Sequence, residues 1–553
     1  MKSNLVKTDF LVIGSGIAGL MATIRLAELG KGRITLITKD ELSCSNSYYA
    51  QGGIASVGNQ SQSLKQTDFD AHIADTLLAG DGLCNRDVVE SSIGSFDSRV
   101  IDRLIEYGVD FSKNEDGSFQ LHQEGGHSRQ RIYCVADHTG RSVVEALIKK
   151  VKSLPNVQIL RHHLAINLIT QNYILKSNLA ENICIGVYAL DKIKKKVITI
   201  NSKFTLLATG GAGKIFKYTT NPDIATGDGY AMAYRAGATL KNMEFVQFHP
   251  TVLYDSDSNS TTKRFLITEA LRGENIGGIL TTDENSKEDF VLEYDKKGSH
   301  STRDIVARAV DSEIKKRGLE HLFLNLTNSV LGKGDSFLPN NFPDIFAKCL
   351  EKGFDIRERP IPIVPAAHYF CGGVATDSSG HTDINNLYAI GEVACTGLMG
   401  ANRLASNSLP EATYFASVAA EDAAFKLNSY KKPKLVIPPW DASYVKSELD
   451  LSTMNQFWDS IRSTMTNLCG IERNKQRLGL AENISYALTK AADRIYAKFF
   501  PHKEVIELRN LALCAYLVTN SAARRRESRG VHFRCDYPHK NSSFASDSLT
   551  KKR

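Results

Sequence analysis

The chain has no long apolar run, no paired cysteines, no internal repeat and no block of like charge, and each absence excludes a class of function. No stretch approaches the roughly 20 apolar residues that a membrane helix needs. The apolar run Phe10–Ile13 is too short for a signal-peptide core and leads straight into a glycine turn. The 10 cysteines, from Cys44 to Cys535, stand singly, without Cys-x-x-Cys or metal-ligand spacing. They read as reduced, mostly buried thiols, and no metal is expected. The 68 Lys and Arg nearly balance 61 Asp and Glu, for a net charge of +7. The basic residues are scattered, except for Arg524-Arg525-Arg526 with Arg529, which argues against a nucleic-acid partner. A cytoplasmic chain without membrane or nucleic-acid partners is the expectation.

What is present is ordinary globular composition, 42% hydrophobic and 23% charged over 553 residues. That length exceeds one core and predicts two or three domains. Strand Asp9–Ile13, a glycine turn, an apolar helix from Ile17 to about Leu29 and strand Arg33–Thr38 form a βαβ pattern. Two more strand-and-glycine-turn pieces follow at Thr205–Gly213 and Leu387–Glu392. Together they predict an α/β fold with a discontinuous Rossmann-type domain over 1–242 and 370–438. The polar, turn-rich stretches Asp255–Lys263, Asp283–Ser299 and Asn328–Asn341 mark an inserted α+β unit over 243–369. Helix-period segments Met454–Leu468, Asn474–Ala497 and Lys503–Thr519 predict a helical bundle over 439–537. The Ser- and Lys-rich residues 538–553 read as a disordered tail. Pro410, in the first turn of a helix, is neutral.

Gly14-Ser15-Gly16-Ile17-Ala18-Gly19 follows a strand and opens a helix. Its first glycine makes the turn, its second lets a pyrophosphate approach, and its third allows close packing of helix on strand. The acid that holds ribose hydroxyls in NAD sites is absent, and Lys39 stands near its place. That favours FAD, with further contacts from Ser47-Tyr48-Tyr49-Ala50-Gln51-Gly52-Gly53, the turn at Thr209-Gly210-Gly211, Asp228 and Glu392.

The order GSGIAG, YAQGG, LLATGG, ATGDGYAMAYRAGA, EFVQFHPT, TEALRGE, RDIVARAV, PAAHYFCGGV, LYAIGEVACTGLMGANRLASNSL and RRESRGVHFRCDYP resembles the succinate dehydrogenase/fumarate reductase flavoprotein superfamily. The resemblance runs from residue 9 to about 538 and is strongest to the branch that oxidises L-aspartate. It implies an FAD-binding domain, a capping domain and a helical domain, with Ser408 and Leu409 also at the cofactor. Members that bond FAD covalently carry a His five residues before the Gln of AQGG. Here that position is Asn46, which implies non-covalent FAD. Their Phe-Gly-Gly is Glu124-Gly125-Gly126 here, a carboxylate suited to a substrate ammonium.

Two substrate carboxylates need cationic or hydrogen-bonding clamps. The resemblance places His249, Thr268, His368 and Arg403 in that role, and Arg303 where the fumarate-reducing relatives handle a proton. An arginine pKa above about 12 makes a literal base awkward, so orientation and charge stabilisation are the expected work of Arg303. The implied reaction converts aspartate to iminoaspartate with O2 or fumarate as acceptor, at the first step of NAD biosynthesis, with the product passing to quinolinate synthase. Two alternatives stay open: a succinate dehydrogenase or fumarate reductase flavoprotein subunit, and a non-catalytic FAD-dependent assembly protein.

Overall fold

The computed structural model describes residues 5–57, 62–255, 264–273, 275–441, 451–499 and 502–552. Most of the polar stretch expected at Asp255–Lys263 lies outside the described residues.

The apolar strand Leu5–Ile13 sits at the centre of a seven-stranded sheet, parallel to Ile34–Ile37 on one side and Lys196–Leu207 on the other. Leu387–Ala389 also pairs in parallel with Lys196–Leu207. A strand from nearly 400 residues away therefore completes the unit that opens the chain. Helix Ile17–Glu28 covers the sheet together with Ser408–Lys426. Its approach depends on Gly19, where a Cβ would stand 1.9 Å from the Gly14 carbonyl oxygen.

The inserted segment has its own antiparallel sheet, in the order Val246–Leu253, Ile361–Phe370, Leu322–Asn325, Ile279–Thr281. Helix Arg303–Arg317 buries Val306 and Val310 with Leu322, Leu324 and Ile361 in a separate core. Strands Val246–Leu253 and Ile361–Phe370 pass through two cores. Val246 and Phe370 belong to the core of the Rossmann-type unit, and Leu253 and Ile363 to that of the insertion. His249 and His368 lie between these ends.

The C-terminal helices span Leu451–Leu468, Lys475–Lys498 and Lys503–Arg524, close to the expected segments. They do not make a core of their own. Leu508, Leu511 and Leu517 share one cluster with Leu11 and Ile200 of the large sheet. Helix Lys503–Arg524 is buried nearly all round, so it packs between the other helices and the Rossmann-type unit. The basic cluster is turned half inward, with Arg524 and Arg526 exposed and Arg525 and Arg529 buried. Arg525 pairs with buried Glu244 at 2.5 Å, and both Arg525 and Arg529 pair with Glu527. Among the described residues no helix is long and apolar enough to cross a membrane.

The tail corrects an expectation. Residues 538–552 are ordered against the protein, and Leu549–Thr550 pairs antiparallel with Leu240–Lys241. Composition suggested disorder because it counts few apolar groups. The tail is held instead by polar pairing: Asn242 Nδ2 donates to Asp547 at 2.7 Å, Ser548 Oγ to Glu244 at 2.7 Å, and Lys551 pairs with Asp383 at 2.8 Å. Truncation after Ser546 removes one donor from a fully buried carboxylate, at about 1–3 kcal/mol. Calorimetry should show Tm lower by a few degrees, and an unchanged Tm would mean that the strand is ornamental.

Candidate active site

A cavity of about 970 Å³ lies where the large sheet, the insertion and the returning segment around residue 400 meet. It is lined by every residue expected at the cofactor or substrate except Gly19 and Tyr48. Gly19 is used for packing, as described above. Tyr48 turns away: its hydroxyl donates to Glu145 at 3.1 Å and its ring packs edge-on to Tyr49. In the short 3-10 turn Ser47–Tyr49 neighbouring side chains cannot all face one way, and Tyr48 takes the side that packs on helix Thr139–Lys152, where Arg141 and Glu145 meet it.

One end of the cavity is built for a dinucleotide. Gly14 has φ +113°, and a Cβ there would stand 2.1 Å from the Ala208 carbonyl oxygen. Helix Ile17–Glu28 has no acidic residue in its first turn, so its N-terminal partial charge is left for a phosphate. Asn46 Oδ1, Gln51 Oε1 and Thr209 Oγ1 are buried without hydrogen-bond partners in the protein. Such atoms await a polar ligand, and the residues present fit FAD.

Two expected cofactor contacts are already engaged. Lys39 Nζ donates to Thr226 Oγ1, Asp228 Oδ2 and Glu507 Oε1 at 2.6, 2.8 and 2.9 Å. Asp228 Oδ1 accepts from Asn510 Nδ2 and Thr226 Oγ1. The Asp228 carboxylate, which lines the cavity where a ribityl contact is expected, thus carries an ion network on both oxygens. Glu392 is the other carboxylate expected there. It lies against Gly211 and accepts from Asn46 Nδ2 at 3.0 Å and the Phe370 amide at 3.2 Å. Burial lifts its carboxyl to about 7.

The other end gathers the residues expected to clamp the substrate. Strand pairing sets His249 opposite Ala366, and a bulge follows the Gln247 and Tyr369 pair, which brings the His249 and His368 rings to 5.6 Å. Thr251 N–H donates to His249 Nδ1, so the ring proton sits on Nε2. Burial, aided by Arg303 for His249 and by Arg403 for His368, pushes both imidazoles well below the usual range, so both are neutral donors. Thr268 caps the short turn Glu269–Arg272.

Arg403 donates from Nε to Gln247 at 3.2 Å and lies 4.5 Å from the Tyr369 ring centre. Arg303, the first residue of its helix, forms a bidentate pair with Glu269 at 2.6 and 2.7 Å. Burial acts to raise the Glu269 carboxyl, but Arg303 prevails and holds it at about 2. Arg303 Nη1 is buried without a partner, a donor left over for substrate. Glu124 accepts from Ser406 Oγ at 2.6 Å, and burial followed by the nearby Glu269 raises its carboxyl. Sequence reasoning did not single out Glu269, Gln247 or Ser406. The first stands in the TEALRGE string beside Thr268, and the others lie in strings that were read for His249, Glu392, Arg403, Ser408 and Leu409.

A family model described as FAD binding domain matches residues 9–409, and one described as Fumarate reductase flavoprotein C-term matches 458–553. L-aspartate oxidase of Pseudomonas aeruginosa is 43% identical over 538 residues, covering 96% of this chain and 95% of that one. The enzyme of Acinetobacter baylyi is 42% identical, covering 99% and 97%. The chain belongs to the L-aspartate oxidase family. It is an FAD-dependent oxidoreductase, and its fold is that of the larger superfamily. The FrdA chain of E. coli quinol fumarate reductase superposes with a TM-score of 0.85 at 26% identity, over 99% of this chain and 96% of that one.

Asn46 donates its amide to Glu392 and offers no nucleophilic nitrogen. Acid precipitation should therefore leave the yellow colour in the supernatant. Fluorescence that stays with the polypeptide on a denaturing gel would show a covalent flavin.

Proposed function

We propose that this family member oxidises L-aspartate to iminoaspartate, with Arg403, His249, His368 and Thr268 binding the two carboxylates and Glu124 receiving the ammonium. The observation that carries this reading is the carboxylate of Glu124, held by Ser406 and set among Arg303, Arg403 and the already paired Glu269 in the cavity. A ligand with two negative groups and one positive group matches that set, and succinate leaves Glu124 unanswered.

FAD, when bound, supplies the hydride acceptor for the substrate α-carbon. The chain supplies position and charge. Burial works to lower the Arg303 pKa, but Glu269 overrides it and raises it, so Arg303 stays a cation that orients and stabilises. The neutral imidazoles donate hydrogen bonds without adding charge that would hold the dianion too tightly. With FAD held there, O2 or fumarate would serve as the final electron acceptor. An imine of this kind hydrolyses readily, which favours passage to quinolinate synthase in the cytoplasm for NAD biosynthesis. The direct test adds aspartate or succinate to the anaerobic protein: aspartate should bleach the flavin absorbance far faster, and the reverse order would overturn the reading.

Arg303→Leu should abolish turnover while flavin content stays unchanged, because Arg303 belongs to the insertion and the glycine turns do not. Aspartate oxidation at near wild-type rate would remove Arg303 from the mechanism. The variant should also lose stability, by about 3–5 kcal/mol, since Glu269 is left buried and unpaired.

Glu124→Gln should cost aspartate oxidation about 2–5 kcal/mol through the lost ammonium partner. That is roughly thirty- to several-thousand-fold in kcat/KM. Fumarate reduction by a reduced dye should be retained or improved, because a dicarboxylate no longer faces a third carboxylate. An equal fall in both activities would make Glu124 a loop-holding residue.

A further inference from the structure

Behind the loop that carries Glu124 lies a buried polar cluster that the reaction does not use. His72, His127 and Arg131 are all buried, and none lines the cavity. Arg131 Nη1 donates to Asp75 at 2.6 Å and to His127 Nδ1 at 2.9 Å. A guanidinium only donates, so Nδ1 of His127 is the bare nitrogen and Nε2 carries the proton. Nε2 then donates to the Ala405 carbonyl at 2.8 Å. Two residues on, His72 Nε2 meets Asn407 Oδ1 at 2.9 Å, and the Asn407 amide donates to Thr76 at 3.0 Å. Segment 405–407 is thus tied to the Glu124 loop and to the helix that carries His72, Asp75 and Thr76.

Between these ties Ser406 has φ +56°, a left-handed conformation disfavoured for any residue with a Cβ. That conformation accompanies the 2.6 Å hydrogen bond from its hydroxyl to Glu124 Oε2. The loop backbone is fixed as well: His127 N–H donates to the Glu124 carbonyl at 3.1 Å. At Gly126 the two segments approach so closely that a Cβ would stand 2.8 Å from Leu404 Cδ1. Glu124 is therefore held at its backbone through His127 and at its carboxylate through Ser406.

We propose that His127 and Ser406 are positioning residues for substrate selection, locking the Glu124 carboxylate in place to receive the ammonium of an α-amino dicarboxylate. The lock rests on the function proposed above and assigns part of the choice against unaminated dicarboxylates to Ser406, which lines the cavity beside Glu124, and to His127 behind the wall. It holds across the neutral range: burial, with the Arg131 charge, pushes the His127 imidazole down to about 4, so its single proton stays on Nε2. Glu124 itself faces Glu269, Arg303 and Arg403 as well as Ser406, and the Ser406 bond is one of the influences that keep its carboxyl from rising further.

The test uses the FAD-loaded full chain and the ratio of kcat/KM for aspartate oxidation to kcat/KM for fumarate reduction by a reduced dye. Ser406→Ala should lower the ratio about tenfold, the scale of a hydrogen bond to a charged group, chiefly through the aspartate KM. It should also move the acid limb of the aspartate profile to higher pH, because losing the donor raises Glu124. Ser406→Gly should lose as much although its backbone is relaxed, which separates the hydroxyl from the conformation. A Gln side chain can accept from Arg131 and donate to Ala405, so His127→Gln should keep the ratio, whereas His127→Leu should lower it and speed amide hydrogen exchange across 121–133. An unchanged ratio in Ser406→Ala, or an equal fall in both activities, overturns the proposal, and so does wild-type exchange in His127→Leu. If His127→Leu does not fold, the serine variants decide alone. Wild-type flavin that stays oxidised with aspartate would overturn the proposed activity and leave the lock to the exchange measurement.

Discussion

Holding a small dianion out of water requires positive charge that the protein has not already neutralised, and Arg403 is where the structure meets that requirement. Its guanidinium is buried, yet its contacts are an amide oxygen of Gln247 and the face of Tyr369. Among the described residues no ion pair with a carboxylate forms at Arg403. Tyr369 is fixed in turn by donating to Glu411 at 3.0 Å, and Glu411 accepts from Thr396. Burial lifts Glu411 to about 7, which weakens its hold on the nearby charge. Burial and Arg303 pull the Arg403 pKa down, the signature of a cation short of counter-charge. On the proposed function a dicarboxylate supplies what is missing, whereas Arg303, already matched by Glu269, keeps its Nη1 amino group free to direct it.

The cofactor end follows the opposite rule, with charge matched in advance. Lys39 lies between Asp228 and Glu507, and Asn510 completes the shell of Asp228. Glu507 and Asn510 belong to helix Lys503–Arg524, so the C-terminal helices hold the wall of the dinucleotide end directly. A buried ion pair of this kind adds little net stability, but loss of one member leaves the other uncompensated. That asymmetry ties the last helix to the first strands more firmly than apolar contact alone, and accounts for the shared core.

Much of this was legible in the sequence because it is written in short strings. A strand, a glycine turn and a helix are local, and the spacing of Gly14, Gly16 and Gly19 predicts both the turn and the packing that the structure shows. Glu124, His249, His368, Arg303 and Arg403 were legible through strings shared with relatives, and all of them line one cavity. What stayed hidden depends on partners far along the chain. Nothing near residue 228 reveals that Lys39 and Asn510 will occupy its carboxylate. The tail, poor in apolar residues, is held by Asn242, Glu244 and Asp383, about 160 to 300 positions away. The turn of Tyr48 away from the cavity is a matter of one side chain in a three-residue helix, below the reach of composition or periodicity.

The site also divides its work between rigid and local structure. His249 and His368 stand on adjacent strands anchored in two cores, so their separation is set by sheet geometry and tolerates little change. Glu124 stands on a loop between short strands, where a substitution alters chemistry without moving the scaffold. A TM-score of 0.85 at 26% identity with a fumarate reductase chain is what this division allows. On the proposed function, the frame that clamps two carboxylates persists while one loop position and the segment pinned behind it decide what else the substrate must carry. Specificity in such a site is a problem of positioning as much as of charge. A carboxylate free to swing would solvate itself or pair with Arg303, and only one held by its neighbours keeps its charge for an ammonium.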